Sequence, residues 1–196
     1  STVTTLAIDP ETGLLSVVGA PTSTGMQPYS IARTPSGKFA YTANFGDNTL
    51  SAFSVDTGTG ALTALAPITA GNNPYTVTIN SAGTFAYLVN ADTANTNGTV
   101  MAFAVDSTMG ALTQVGTTLN AGSVPQFIAL TPNGSFAYVT NAGDNTLGVY
   151  SVGSNGALTA SGTPVLTGLN PYAIAIAPSG NFLYVTNVLD NTVDVF

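Results

Sequence analysis

The chain has 196 residues, no cysteine, no histidine and a net charge of −7 at pH 7. This composition excludes disulfide bonds, thiolate metal sites and catalytic arrangements that depend on an imidazole base. Only Arg33 and Lys38 are cationic, against nine carboxylates, so the chain repels phosphates and anionic surfaces, and we predict no nucleic acid as a partner.

Charged residues make up 6% of the chain, where an average domain has about 25%. Thr, Ser, Asn and Gly must therefore cover the surface, and this composition predicts an extracellular or cell-surface location. The apolar runs are strand-sized, which predicts no membrane insertion. Because the chain begins at Ser1, we interpret it as a mature or trimmed segment.

Taken in chain order, the residues from Val3 onward predict a strand, and complete units of four strands then follow. In one unit "PYAIAIAPSG" predicts a first strand and a turn, and "NFLYVTN" predicts a second strand. In another, "DNT" predicts a turn, "LGVYSV" a third strand, and "GALT" with "VLTG" a fourth. The apolar period is two throughout, which is typical of strands and not of helices.

Two independent markers show that the unit repeats. The intervals between successive copies are 46, 51 and 46 residues for both the prolines and the tyrosines. The markers are Pro28, Pro74, Pro125 and Pro171, and Tyr41, Tyr87, Tyr138 and Tyr184. We therefore treat residues 1–196 as a single repeat array. Its units start near Val3, Leu50, Val100 and Leu147, with a partial fifth at Val193.

Each predicted sheet must be covered on both faces. In the second strand of the third copy, Phe136 and Tyr138 lie on one face, and Ala137 and Val139 on the other. Stacked four-stranded units of about 40 to 50 residues predict the blades of an all-β β-propeller, with about four repeats in this chain. A β-solenoid is the alternative, although its repeats are usually shorter.

The phrases "FAYVTN" at 136–141 and "FLYVTN" at 182–187, with "DNT" and "GALT", resemble YVTN-type surface-layer repeats and seven-bladed lactonase-like propellers. The resemblance implies a propeller, and its enzymatic members act on lactone rings with His, Glu and Arg near the axis. This chain has no His, one Glu (Glu11, in a turn) and one Arg (Arg33). We therefore expect no lactonase activity, and no catalytic residue is assigned.

The leading hypothesis is a non-enzymatic, extracellular or surface-associated scaffold for adhesion or assembly. Two alternatives stay open. One is a module that binds a small sugar or anion at the propeller axis. The other is a fragment of a lactonase-like enzyme whose active residues lie outside this segment.

Arg33 is the first candidate binding residue, because it occupies a slot that holds Ile79, Leu130 and Ile176 in the other copies. It either reaches solvent or a nearby aspartate, or it contacts an anion or sugar near the channel mouth. Further candidates stand at the start of the first strands, which are expected to line the axis. These are Tyr29, Tyr75, Gln126 and Tyr172.

The turn residues are interpreted as structural. The pairs Asp47-Asn48, Asp144-Asn145 and Asp190-Asn191 suit tight turns, since Asn tolerates positive φ. The segment 93–98 matches a calcium loop poorly, because Thr93 stands where the first Asp belongs. We predict no metal and no cofactor.

Asn97 and Asn133 begin glycosylation sequons in predicted turns. The chain also starts and stops on a third strand, so an open array would expose strand edges and apolar faces. The expected partners are therefore further blades of the same parent chain, in a ring of about seven, or other copies of the chain. Surface glycans or proteins are further possible partners.

Overall fold

The computed structural model describes residues 1–93 and 97–196. Within them every regular element is a β-strand, and the sheets are antiparallel blades of a β-propeller, as the sequence predicts. The described residues include no helix that could cross a membrane.

A hairpin comes first and four blades follow it, which we number I to IV. The hairpin comprises β1 (Thr2–Ile8) and β2 (Leu15–Ser23). Blade I comprises β3 (Pro28–Arg33), β4 (Phe39–Asn44), β5 (Thr49–Val55), β6 (Leu62–Ala64) and β7 (Ile68–Thr69). Blade II comprises β8 (Pro74–Ile79), β9 (Phe85–Asn90), β10 (Gly98–Val105) and β11 (Leu112–Gly122). Blade III comprises β12 (Pro125–Leu130), β13 (Phe136–Asn141), β14 (Thr146–Val152), β15 (Leu158–Ala160) and β16 (Val165–Leu166). Blade IV comprises β17 (Pro171–Ile176), β18 (Leu183–Asn187) and β19 (Thr192–Val195).

The predicted repeat starts all fall in equivalent strands. Val3 lies in β1, and Leu50, Val100, Leu147 and Val193 lie in β5, β10, β14 and β19. These are the third strands of their blades, and each of the last four pairs with the second strand of its own sheet. The hairpin therefore supplies a third and a fourth strand, whereas blade IV supplies a first, second and third.

The outermost strands differ in continuity. In blades I and III the fourth strand is interrupted around Pro67 and Pro164, and both short pieces pair with the third strand. In blade II it is the unbroken strand β11, which contains no proline. Proline lacks the N–H that a strand ladder requires, which accounts for the breaks in blades I and III. Strand β2 of the hairpin continues through Pro21, but its pairing with β1 is irregular there.

The core lies between neighbouring blades. Tyr41 and Leu50 of blade I pack with Leu88 and Phe103 of blade II. A second cluster joins blades II and III through residues such as Tyr87, Val100, Val139 and Tyr150. The cluster between blades III and IV has only three buried members, Leu147, Leu183 and Val185. Each blade thus covers one face of the next, as stacked sheets require.

The expectation that both faces of β13 are covered is only half correct. Ala137 and Val139 are buried, but Tyr138 is half-buried and Phe136 is exposed. The reason lies in the neighbouring blade: in blade I the hydroxyl of Tyr41 donates to the carbonyl of Gly110, in the turn before the fourth strand of blade II. Blade IV has no fourth strand within the described residues to cover Tyr138 in the same way.

Candidate functional site

The first strands of the four blades lie side by side, in the order β3, β8, β12 and β17. Their first residues therefore meet at one end of the propeller, which we call the axial mouth. Tyr29, Tyr75, Gln126 and Tyr172 are the second residues of these strands. The structure thus brings together four of the five residues that the sequence proposes for binding.

The rings at the axial mouth are in mutual contact. Tyr29 stacks on Phe45 at a centroid distance of 4.7 Å, and Tyr75 stands edge-on to Tyr29 at 5.1 Å. Tyr172 stands edge-on to Tyr75 at 6.4 Å and lies 6.4 Å from Phe127. Tyr29 and Tyr172 remain exposed. The result is a continuous aromatic surface, contributed by all four blades, with rings open to solvent.

Tyr75 and Tyr172 meet across blade III. Their hydroxyl oxygens are 3.3 Å apart, although β12 lies between their strands. Burial, with the hydrogen bond to Tyr172, raises the pKa of Tyr75 well above its usual value, so this phenol stays protonated far into the alkaline range. Blade III carries Gln126 at this position, and the buried Oε1 of Gln126 has no hydrogen-bond partner among the described residues. That oxygen is a buried acceptor on the blade that lies between those of the two tyrosines.

Arg33 does not join this group. It is the last residue of β3, whereas Tyr29 is near the first, so about 13 Å of strand separates them. Its Nε donates to the carbonyl of Gly37 in the adjoining turn, at 3.3 Å. The side chain is exposed and lines a cleft of about 380 Å³ beside Leu6 and Asp56. The structure therefore places Arg33 at the far end of the propeller, away from the mouth.

The aspartates of the predicted turns lie at the mouth end, and each forms a hydrogen bond with the segment that precedes the first strand of its blade. Asp47 accepts the backbone N–H of Met26, and Asp144 accepts that of Ser123. Asp190 accepts the N–H of Leu169 in the same way. These bonds reach 21 residues back in the chain. The sequence analysis assigned these aspartates only to their own turns, and the structure shows that each also bonds to the segment before the first strand of its blade.

The asparagines beside them extend the same network from blade to blade. Asn48 and Asn145 have φ values of 60° and 56°, as predicted for tight turns. The Oδ1 of Asn48 accepts the N–H of Asn73, and that of Asn145 accepts the N–H of Asn170, both at 2.8 Å. Each bond joins one blade to the start of the next.

The aromatic surface of the mouth carries no imidazole, thiolate or carboxylate, and the turn aspartates at this end are engaged in hydrogen bonds to backbone N–H groups. The only glutamate, Glu11, lies in the turn between β1 and β2, which is equivalent to the turns of Asp56 and Asp106 at the far end. Among residues 1–93 and 97–196 there is no cluster of three or more side chains able to hold a metal ion. The calcium-loop comparison includes Asn95, which lies outside the described residues.

Phe45 and Phe127 belong to the mouth, and the sequence analysis missed both. Phe45 follows Asn44, where the other copies have Ala91, Ala142 and Val188. Phe127 stands where they have Ser30, Thr76 and Ala173. An aromatic residue that replaces a small one in a single repeat was the signal available.

Comparison with known proteins places this fold among lactonases. Residues 46–130 and 127–196 match the family described as "Lactonase, 7-bladed beta-propeller". No curated protein matches the chain significantly.

Solved structures give the same fold over the whole chain. A "putative 6-phosphogluconolactonase" from Bacteroides uniformis superposes with a TM-score of 0.87 at 22% identity, covering 99% of this chain and 60% of that one. Another protein so described, from Bacteroides fragilis, has a TM-score of 0.82 at 27% identity, covering 100% and 60%. The periplasmic gluconolactonase of Pseudomonas aeruginosa has a TM-score of 0.80 at 24% identity, covering 100% and 59%. The chain thus spans about three-fifths of their length.

These matches correct three expectations. The non-enzymatic scaffold and the absence of enzymatic function are wrong, because the matching family is one of lactonases. The error came from taking the absence of His, and of any Glu near the axis, as evidence against enzymatic function. The expected extracellular or cell-surface location is also wrong, since the neighbours are described as 6-phosphogluconolactonases and a periplasmic gluconolactonase.

Proposed function

Because the chain belongs to the lactonase family of seven-bladed β-propellers, we propose that it contributes blades to a lactonase-like enzyme whose catalytic residues lie outside these 196 residues. The family match over residues 46–196 carries this proposal. The mouth supports it, since ring faces and phenol hydroxyls can hold a sugar lactone but cannot supply a base at neutral pH. The role of this segment is then to bind and orient the substrate.

Exposed apolar residues at both ends of the array support the presence of further blades. The hairpin exposes Leu6 and Leu15, and blade IV exposes Tyr184 and Val195. Their counterparts in the interior blades are buried or half-buried against a neighbouring sheet, so these surfaces have the character of blade interfaces. We propose that additional blades of the same ring cover them. Association of two copies is the other possible outcome of a mass measurement in solution.

We also propose that the repeat is of the YVTN type. It is supported by the position of "YVTN", which ends the second strand in both β13 and β18. The repeat array over residues 1–196 has similar support, because the proposed starts fall in equivalent strands.

Lactone hydrolysis tests the enzymatic proposal. Proton release from D-glucono-1,5-lactone, and from its 6-phosphate, would be followed with the 196-residue chain and with the longer protein that contains it. We expect the longer protein to accelerate hydrolysis, and the 196-residue chain to leave the spontaneous rate unchanged. A longer protein inactive on both lactones would overturn the proposal. Hydrolysis by the 196-residue chain would disprove the external location of the catalytic residues.

A further inference from the structure

The carboxylates of the propeller lie at both of its ends, with Glu11, Asp56 and Asp106 at the far end, whereas its two cations lie only at the far end. The turns at the mouth carry Asp47, Asp144 and Asp190, and Asp92 follows β9 at the same end. The two cations of the chain lie at the far end: Arg33 closes β3 and Lys38 precedes β4. Strands of this length separate the ends by about 17–20 Å, which exceeds the screening length of about 8 Å in physiological salt. The cations therefore cannot offset the carboxylates at the mouth.

The aromatic surface of the mouth suits an uncharged ring. The C–H face of a pyranose is apolar and packs on an aromatic ring, and its hydroxyls need nearby donors and acceptors. Tyr29 and Tyr172 offer exposed rings, and the Tyr75–Tyr172 hydroxyl pair offers both donors and acceptors.

A phosphorylated sugar does not suit this surface. Phosphate recognition uses Arg, Lys or a backbone N–H group, and no Arg or Lys lies at this end. The N–H groups of Met26, Ser123 and Leu169 are already bonded to the aspartates. A dianion bound at this end would instead be repelled by their carboxylates, since the juxtaposition of like charges is unfavourable.

We propose that the axial mouth of this chain is built for an uncharged sugar ring and discriminates against its 6-phosphate. The proposal rests on the lactonase assignment for the choice of a sugar, and it adds the charge state of the substrate. Two structural neighbours are described as 6-phosphogluconolactonases. The charge distribution of this chain points instead to the unphosphorylated lactone class.

Binding to the 196-residue chain provides the test, with stable ring analogues that differ only in the phosphate. D-glucose and D-glucose 6-phosphate would be titrated to millimolar concentrations at low salt and followed by saturation-transfer NMR. We expect contact with glucose and binding of the phosphate about tenfold weaker or worse, as like-charge repulsion requires. Added salt should reduce this difference, because it screens the exposed carboxylates.

Two sets of variants identify the groups responsible. Tyr172→Ala should abolish glucose contact, and Tyr172→Phe should keep the stacking but weaken it severalfold. The double variant Asp144→Asn, Asp190→Asn keeps an oxygen acceptor for the backbone N–H groups but removes two negative charges. The affinities for glucose and glucose 6-phosphate should therefore differ less in this variant. Equal or tighter binding of the phosphate, or a difference unchanged in the Asn variant, would overturn the proposal.

The absence of saturation transfer with glucose would overturn it as well. The assay requires no turnover, so its result is independent of the hydrolysis experiment. A mouth that binds glucose in a protein without lactonase activity would separate the two proposals.

Discussion

Tyr41 and Tyr184 hold the same place in blades I and IV, yet Tyr41 is fully buried and Tyr184 is 40% exposed. Both stand in a second strand with nearly the same local sequence, "FAYTAN" and "FLYVTN". The difference comes from the following blade, which covers Tyr41 and whose Gly110 carbonyl accepts a hydrogen bond from the Tyr41 hydroxyl. Burial in a repeat array is therefore a property of neighbouring units and not of the strand alone.

Truncation of these two tyrosines should give the largest difference between interior and end blades. We expect Tyr41→Ala to lower the free energy of unfolding by about 3–5 kcal/mol, because it removes a large packed aromatic. Tyr184→Ala should cost about 1 kcal/mol or less, as its ring already faces solvent. Denaturant titration of both variants measures this. Equal losses would mean that blade IV is covered in solution, by another copy for instance.

Alkaline pH should destabilise the interior blades first. Burial raises the pKa of Tyr41, Tyr87 and Tyr150 to about 12, and the unfolded value is about 10. Since the folded state holds these protons more tightly, stability should be unchanged below pH 10 and fall between about pH 10 and 12. Denaturant midpoints across this range test it, with tyrosinate absorbance as a second probe. Variants with Phe at these positions should show a weaker decline.

Substitution of the turn asparagines should show a smaller difference in stability between interior and end blades. Asn145→Ala loses the hydrogen bond to the N–H of Asn170 and places alanine at a φ of 56°, so it should cost about 2 kcal/mol. Asn191 has a φ of 57° but no such bond among the described residues. Asn191→Ala should therefore cost about 1 kcal/mol. A matched pair of thermal or denaturant transitions measures the difference, and an Asn145 loss no larger than that of Asn191 would show that the bond does not stabilise the blade contact.

Removal of single hydroxyl groups tests the contact of one blade with the next. Tyr41→Phe breaks the bond to Gly110 and should cost about 1 kcal/mol. The hydroxyl of Tyr87 is buried without a hydrogen-bond partner among the described residues, so Tyr87→Phe should be neutral or slightly stabilising. If both variants lose the same stability, Tyr87 has a partner in solution.

Arg33→Leu should have the smallest effect, within about 0.5 kcal/mol. The side chain is exposed, its bond is to the carbonyl of Gly37, and other blades carry Leu or Ile at this position. Glucose binding at the mouth should also be unchanged, because Arg33 lies at the far end. Loss of sugar contact in this variant, with stability unchanged, would contradict the placement of the site.

The sequence predicted the blades well because their signals are local. Alternating apolar residues and Asp-Asn turns recur at fixed intervals, so each copy supports the interpretation of the others. What depends on distant residues was predicted less well. The half-exposure of Tyr138 depends on blade IV, which has three strands among the described residues, and the partner of Asn145 lies 25 residues along the chain.

The candidate site shows the same division. Tyr29, Tyr75, Gln126 and Tyr172 were identified because aligned repeats put equivalent residues together at the axis. Arg33 was grouped with them because it is unusual in the alignment, but a strand has two ends, and Arg33 stands at the other one. The function was misjudged for a different reason: catalytic groups of a ring can be shared unequally among its blades, and a segment lacking them says little about the whole.

The shared cores also bear on the order of folding. Blade II has a buried cluster on each side, with blade I and with blade III, and its fourth strand is the unbroken one. The cluster between blades III and IV is much smaller. In a chain of nearest-neighbour contacts, the segment with partners on both sides forms the most persistent nucleus. Amide protons of β9 and β10 should therefore exchange with solvent slowest, and those of β1 and β19 fastest, as local openings begin at the two ends.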